Sequence, residues 1–362
     1  MDLETRLECL KRVGEEIITQ AELRTLLETN DHPTAYDGFE PSGLAPLHFG
    51  VLRPILVSDM LEAGVKMKLY LADWFAWVNN KMGGNLESIQ QVGRYFIEVW
   101  KAAGVDMGRV EVLWTSDAVK HDDYWKKVIT VAQNASLART QRAITIMGRT
   151  SKELVETAQL FYPMMQVADI FWLDVDICQL GLDQRRADIL AREVAEKMKW
   201  KKPVAVHHHM LIGLQGEKQP EGFDENRSMD VAIASKMSKS KPESSIFVHD
   251  SREEIARKLN AAYCPAKVLA GNAPIEYSRH IIFRKLNSMR IERPEKYGGT
   301  VEYASADELE RAYAEGLLHP ADLKKGVAES LDAIIAPIRA HFETDPSARR
   351  LYEFVRSAEK TR

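Results

Sequence analysis

Lys236 and Lys239 stand three residues apart in Lys236-Met237-Ser238-Lys239-Ser240, about 190 residues after Glu40-Pro41-Ser42-Gly43 and His48-Phe49-Gly50. Two ammonium groups on a short hydroxyl-bearing segment suit the outer phosphates of a nucleotide and the charge that develops on a departing pyrophosphate. His48 offers a ring donor just before a helix, and Gly50 would let a phosphate approach the unpaired N–H groups of its first turn. Each piece also has an ordinary use: a Lys/Ser run serves as a solvated linker, and a His before a helix serves as a cap. Their order along the chain favours a bound triphosphate, with a loop closing over it.

Such residues need a scaffold that brings position 40 to position 236. Apolar spacing predicts helices over 3–10 and 15–27, and Thr34-Ala35-Tyr36-Asp37-Gly38-Phe39 reads as a strand ending in a Pro/Gly turn. A helix is predicted from about 48 to 63, a strand over 65–71 and a helix over 86–103. Further strands are predicted over 110–114, 175–180 and 203–211, with helical stretches over 122–137 and 151–172. Strands alternating with helices imply a parallel sheet, whose ligands gather at the carboxyl ends of the strands. Tyr36, Gly38, Asp73 and Gly181 fall at such ends.

From about 218 to 243 the chain turns polar and rich in Gly, Pro, Ser and Lys, which predicts a loop leading out of the sheet. Helical patterns over 251–263, 275–288, 305–314 and 319–342 follow, several opened by Ser, Asp or Pro. The resulting division is a sheet domain over 1–225, a loop and linker over 226–245, and a helical domain over 246–362.

The 362 residues are 45% apolar and 28% charged, with net charge −4 and pI about 6.2. Such a balance describes a globular chain and gives no global attraction to nucleic acid, so any RNA contact must use local patches; neither DNA nor a membrane is an expected partner. Cys9, Cys178 and Cys264 lie far apart with no metal spacing, which favours a reducing compartment. With no signal-like N-terminus and no apolar span, a cytoplasmic location is expected. His207-His208-His209 invites a zinc reading, but successive strand residues face opposite ways and no partner ligand lies nearby, so no protein-held metal is expected. By position His207 could approach a nucleotide.

Phe39-Glu40-Pro41-Ser42-Gly43, His48-Phe49-Gly50, Tyr162-Pro163-Met164-Met165-Gln166, Gly181-Leu182-Asp183-Gln184-Arg185 and the Lys236–Ser240 run together resemble the class I aminoacyl-tRNA synthetases, specifically tyrosyl-tRNA synthetases of the archaeal and eukaryotic type. The resemblance extends through nearly the whole chain. It implies an α/β Rossmann-type catalytic domain with a parallel sheet, a helical connecting insertion at about 115–165 that forms a homodimer interface, and an all-α anticodon-binding domain.

The resemblance also implies roles. Tyr36 and Asp169 match the groups that bind a phenol hydroxyl, and Tyr162, Gln166 and Gln184 match those that hold an α-ammonium group. Tyr162, Gln166 and Asp169 are spaced by four and three, so one helix face carries all three. A site built around a hydroxyl leaves its own polar groups unpaired when phenylalanine binds, which supports discrimination of about 10⁴ to 10⁵, a range taken from tyrosyl-tRNA synthetases themselves. Gly38, Glu40, His48, Gly50, Lys236, Ser238 and Lys239 match the ATP-binding positions, with His48, Lys236 and Lys239 catalytic. Tyr297, His319 and Asp322 match anticodon readers, although each could equally be a loop aromatic or a helix cap. The implied partners are L-tyrosine, ATP with Mg²⁺ and tRNA(Tyr); a tryptophanyl enzyme and a non-catalytic RNA-binding paralogue are the alternatives.

Two features depart from the family pattern. Val51 stands where a second His is frequent, and Leu44-Ala45-Pro46-Leu47 lengthens the lead-in. His48, Lys236 and Lys239 are therefore expected to carry more of the charge stabilisation.

Overall fold

The computed structural model describes residues 1–147, 156–219, 227–237 and 242–358. Among them six strands form one sheet: β1 (Glu16–Ile18), β2 (Thr34–Phe39), β3 (Lys66–Leu71), β4 (Val110–Trp114), β5 (Ile177–Gly181) and β6 (Val204–His208), in the order β1-β6-β5-β2-β3-β4. All neighbours are parallel except β1, which runs antiparallel to β6. The chain moves outward from β2 through β3 and β4, then returns to lay β5 and β6 on the other side of β2. The direction of winding thus reverses between β2 and β5, where an open α/β sheet forms a crevice for a ligand.

Alternation along each strand sorts side chains between the two faces. Ala35, Phe39, Met67, Leu69, Leu71, Ile177, Val204 and Val206 join one core with the N-terminal helices, the Arg53–Glu62 and Leu86–Ala102 helices and the C-terminal helices. Tyr36, Tyr70, Cys178 and Leu180 join a second core on the opposite face, under the Asp122–Asn134, Phe161–Trp172 and Arg185–Met198 helices.

The stretch over 15–27, read above as one helix, divides in two. Glu16–Ile18 pairs with His207, Val206 and Ala205, and a helix begins only at Gln20. The physical reason is at Thr19, whose side chain accepts the Glu22 N–H while Glu22 accepts the Thr19 N–H, a reciprocal cap that fixes the helix start.

The C-terminal part is helical as read from its sequence, with Ser251, Ser305 and His319 each capping the helix that follows. A short antiparallel pair, β7 (Met289–Ile291) and β8 (Val301–Tyr303), is added to it. This part is joined closely to the lead-in before His48. Leu47 N–H donates to the Ile246 carbonyl at 2.7 Å, and Val248 N–H donates to the Ala45 carbonyl at 3.1 Å. The lengthened lead-in Leu44–Leu47 therefore serves as the partner of the segment that leaves the Lys/Ser run. Val51 is buried in the core and takes no polar role.

Candidate active site

A cavity of about 270 Å³ opens at the carboxyl ends of β2, β3 and β5, lined by Gly38, Ala72 and Gly181 among others. Tyr36 and Asp169 both line it. Tyr36 reaches it from β2, and its hydroxyl is buried without a partner among the described residues. Asp169 comes from the Phe161–Trp172 helix, is 2% exposed, and accepts hydroxyl donors from Tyr70 and Tyr124, each at 3.0 Å. Burial pushes its carboxyl well above the ordinary range, while the two phenols act in the other direction.

Tyr162 and Gln166 stand on the same helix and also line the cavity, so the spacing of four and three does place all three residues on one face. The Tyr162 hydroxyl donates to Glu40 Oε2 at 3.1 Å. Gln166 Nε2 donates to the side-chain Oε1 of Gln184 at 3.0 Å, and Gln184 Nε2 donates to the Ile146 backbone carbonyl at 3.2 Å. Glu40, assigned from the sequence to the nucleotide, also accepts from Asn79 at 3.1 Å and so holds Tyr162 and Asn79 in place.

His48, Arg53, Asp183, Gly181 and Lys236 line both this cavity and an adjoining one of about 100 Å³, which extends to His208, Met210 and Met237. The Lys236 ammonium donates to Asp183 at 2.7 Å. Burial works against ionisation of Asp183, yet Lys236 keeps its carboxyl below the ordinary value. Lys236 is set in place by backbone as well: Met237 N–H donates to the Leu211 carbonyl at 2.8 Å, and Gly213 N–H to the Ser235 carbonyl at 2.9 Å. A Cβ at Gly181 would lie 2.5 Å from Asp183 Oδ1, so a side chain there would have to displace the carboxylate that holds Lys236. Ser238 and Lys239 lie outside the described residues.

Arg53 was not foreseen from the sequence. It donates through Nε to Asp37 at 2.6 Å, through a second nitrogen to the other Asp37 oxygen, and through the third to His208 Nε2 at 2.9 Å. Burial raises Asp37 to about 6 despite the guanidinium. Arg53 only donates, so His208 Nε2 accepts and its proton sits on Nδ1. The Gln179 amide, 2.8 Å away, must then turn its carbonyl oxygen toward that proton, which also gives a partner to an oxygen otherwise buried alone. Burial, then Arg53, keeps His208 neutral. Strand alternation contains this result: residues 37, 179 and 208 all face the side of the sheet that carries the Arg53 helix.

Three sequence expectations change. His207 faces away from the cavity, held between Glu16 and Asp188 at 2.8 Å each; burial opposes its charge, but these carboxylates raise it to about 9. Its neighbour His208 lines the adjoining cavity instead. Asp73 does not reach the cavity; it accepts the Trp74 and Ser116 N–H groups at 3.0 Å and Gln90 at 3.0 Å. Gly50 is not a phosphate cradle, since the place of its missing Cβ is 2.3 Å from Val248 Cγ1.

In the helical part Tyr297 is 60% exposed, with the Lys296 ammonium 4.7 Å from its ring centre. His319 Nδ1 accepts the Ala321 N–H at 3.1 Å and so caps its own helix, with Asp322 in the first turn. Arg293 ties the two segments together, donating to Gly299 and Leu317 carbonyls at 3.0 Å each.

A family model described as class I tRNA synthetases (W and Y) matches residues 28–220 and 226–336. A tyrosine–tRNA ligase of Saccharolobus solfataricus is 47% identical over 358 residues, covering 98% of this chain and 96% of the relative. A cytoplasmic tyrosine–tRNA ligase of Arabidopsis thaliana is 43% identical over 364 residues, covering 100% and 90%. The crystal structure of a Pyrococcus horikoshii tyrosyl-tRNA synthetase complexed with L-tyrosine superposes with a TM-score of 0.89 at 41% identity, covering 99% of this chain and 100% of that one. With its winding reversal between β2 and β5, its paired signatures and these full-length likenesses, the chain belongs to the class I tRNA synthetases, in the tyrosyl-tRNA synthetase family.

Proposed function

We propose that the chain activates L-tyrosine with ATP and transfers the tyrosyl group to the 3′ end of tRNA(Tyr). The observation that carries the choice of amino acid is the pair of polar groups in the cavity lining, the Tyr36 hydroxyl, buried with no partner among the described residues, and the Asp169 carboxyl, which together suit a phenol. An indole offers a donor but no hydroxyl, and would leave one of these groups unpaired.

The phenol of tyrosine would lie against Tyr36 and Asp169, with its ammonium group toward Tyr162, Gln166 and Gln184. Glu40 adds negative charge beside that position. ATP, supplied with Mg²⁺, is the second substrate and would extend from Gly38 in the first cavity into the adjoining one beside His48, Lys236 and Met210. A tyrosine carboxylate oxygen attacks the α-phosphorus, and the bond to the β,γ-pyrophosphate breaks. His48, Arg53 and Lys236 lie where charge grows on the phosphates, with Ser238 and Lys239 assigned the same task. A ribose hydroxyl then attacks the tyrosyl carbonyl and releases AMP. Positioning and fixed charge supply the acceleration, without a covalent enzyme intermediate.

Tyr297, His319 and Asp322 are assigned to the anticodon, with Tyr297 free to stack and Asp322 to accept from a base. A homodimer through the 115–165 insertion belongs to the same proposal. Ile129, Leu137 and Phe161, large apolar side chains in that region that remain 51%, 65% and 45% exposed, support it. Unpaired Cys9, Cys178 and Cys264 agree with a cytoplasmic location.

The test is amino-acid-dependent ATP–pyrophosphate exchange with tyrosine, tryptophan and phenylalanine in parallel. Exchange with tyrosine alone is expected. Exchange with tryptophan instead would reassign the substrate, and none with any of the three would point to an RNA-binding paralogue.

A further inference from the structure

Selectivity against phenylalanine depends on more than the presence of Tyr36 and Asp169. A carboxylate torsion is broad and roughly two-fold, so an isolated Asp can swing when a ligand hydroxyl is missing and pair its oxygens elsewhere. Such a swing would relieve the unpaired group, and phenylalanine would bind at little cost. The penalty that rejects it exists only if the acceptor stays unpaired.

Asp169 is held against that motion by two phenols from different parts of the chain. Tyr70 stands on β3, and Tyr124 stands on the Asp122–Asn134 helix of the insertion. Both hydroxyls donate to the same oxygen, Oδ1, at 3.0 Å. A carboxyl oxygen that accepts has about two lone-pair positions, so Oδ1, with two donors, is filled. Among the described residues Oδ2 accepts no hydrogen bond, and the carboxylate lines the cavity beside the partnerless Tyr36 hydroxyl. Turning Oδ2 toward either phenol would break two hydrogen bonds to repair one vacancy. Tyr70 and Tyr124 are 2% and 0% exposed and packed in the second core, so their hydroxyls cannot follow a rotating carboxylate.

We propose that Tyr70 and Tyr124 are positioning residues that set tyrosine-over-phenylalanine selectivity by pinning Asp169 with one oxygen filled and the other committed to the substrate phenol. The inference rests on the tyrosine-activating reading above. It also gives the insertion a direct part in substrate choice, through Tyr124.

Tyr70→Phe and Tyr124→Phe keep ring packing and remove one donor each. With one donor gone, Asp169 can swing toward the remaining phenol when phenylalanine occupies the cavity. The experiment measures kcat/KM in ATP–pyrophosphate exchange for tyrosine and phenylalanine separately, together with the KM for ATP and the thermal midpoint of each variant. Each single variant is expected to lower the tyrosine/phenylalanine ratio about tenfold, the double variant further, with the KM for ATP unchanged. A ratio equal to that of the parent protein in both variants, whatever the total activity, overturns the inference while leaving the tyrosine reading intact. Absence of tyrosine-dependent exchange in the parent protein overturns both. Because the two donors lie on separate elements, a folding defect in one variant leaves the other to decide.

Discussion

The Nε2 atom of His249 lies 2.8 Å from the hydroxyl oxygen of Tyr95, and that same oxygen accepts the Ala45 N–H at 3.2 Å. Burial, with Arg339 nearby, holds the imidazole down at about 3, so its ring is neutral and Nε2 takes the phenol proton. His249 also stacks on Tyr352 of the C-terminal helix at 3.9 Å between ring centres. Ala45 precedes His48 by three residues. The helical part of the molecule thus has a hydrogen-bonded route to the first signature.

Tyr95→Phe keeps the ring packing and removes that route. Losing one net hydrogen bond is worth about 1 kcal/mol, which corresponds to a rate change of roughly five- to tenfold if it is felt in the transition state. The expected result is a several-fold lower kcat for pyrophosphate exchange with the KM for tyrosine unchanged. An unaltered kcat would detach the relay from the positioning of His48.

Gly50→Ala puts a methyl group where Val248 already sits. The overlap at 2.3 Å should destabilise the protein by about 1–3 kcal/mol. Truncating the neighbour, in Gly50→Ala with Val248→Ala, should restore part of the loss. Urea unfolding of the two single variants and the double variant measures the coupling, and strictly additive losses would contradict the contact.

His209 sits between Glu15 at 3.0 Å and Glu276 at 3.1 Å, with the neutral His280 ring stacked on it at 4.2 Å. Burial alone would lower its pKa, but the two carboxylates raise it to about 9. A folded value above the unfolded value near 6.5 stabilises fully below pH 6.5, and that contribution disappears as pH rises through 9. With the ring partly exposed, the expected loss is on the order of 2 kcal/mol. His207, also held near 9, adds its own slope, so the diagnostic is a comparison. Between pH 6.5 and 9.5 the unfolding free energy should fall less steeply in His209→Gln than in the parent protein.

Asp322→Ala should reduce charging of tRNA by tenfold or more while pyrophosphate exchange proceeds at the parental rate. Because Asp322 lies in the first turn of the Pro320–Thr344 helix, loss of its charge near a helix N-terminus costs about 0.5 kcal/mol and should not unfold the domain. Parallel loss of both activities would move Asp322 from base recognition to structure.

The parallel sheet, and Tyr36, Gly38 and Gly181 at its carboxyl edge, were legible because periodicity changes from two to 3.6 along a sheet of this kind, and because Pro and Gly mark the turns. Tyr162, Gln166 and Asp169 were picked out by the family resemblance, and helical spacing then put them on one face. Arg53 could not be found that way, since its role depends on Asp37 and His208, which come together only through the pairing of β2, β5 and β6. Tyr124 was equally hidden, 45 residues from Asp169 and on another helix. The Glu16–Ile18 strand was missed because three residues give too little alternation to outweigh the helix beside them. Gly50 misled for a different reason: a glycine near a signature suggests room for a ligand, whereas here the room belongs to Val248.

The pairing of β1 with β6 also bears on synthesis. Glu16–Ile18 is the first strand to be made, yet its partner Val204–His208 follows about 190 residues later. At roughly 5–20 residues per second this is a wait of about 10 to 40 s on the ribosome. During that time β2, β3 and β4 can pair in the order in which they emerge, while the N-terminal edge remains open. β1 is therefore the last strand of this sheet to be secured, and a change in Glu16–Ile18 would act late, on a sheet otherwise already assembled.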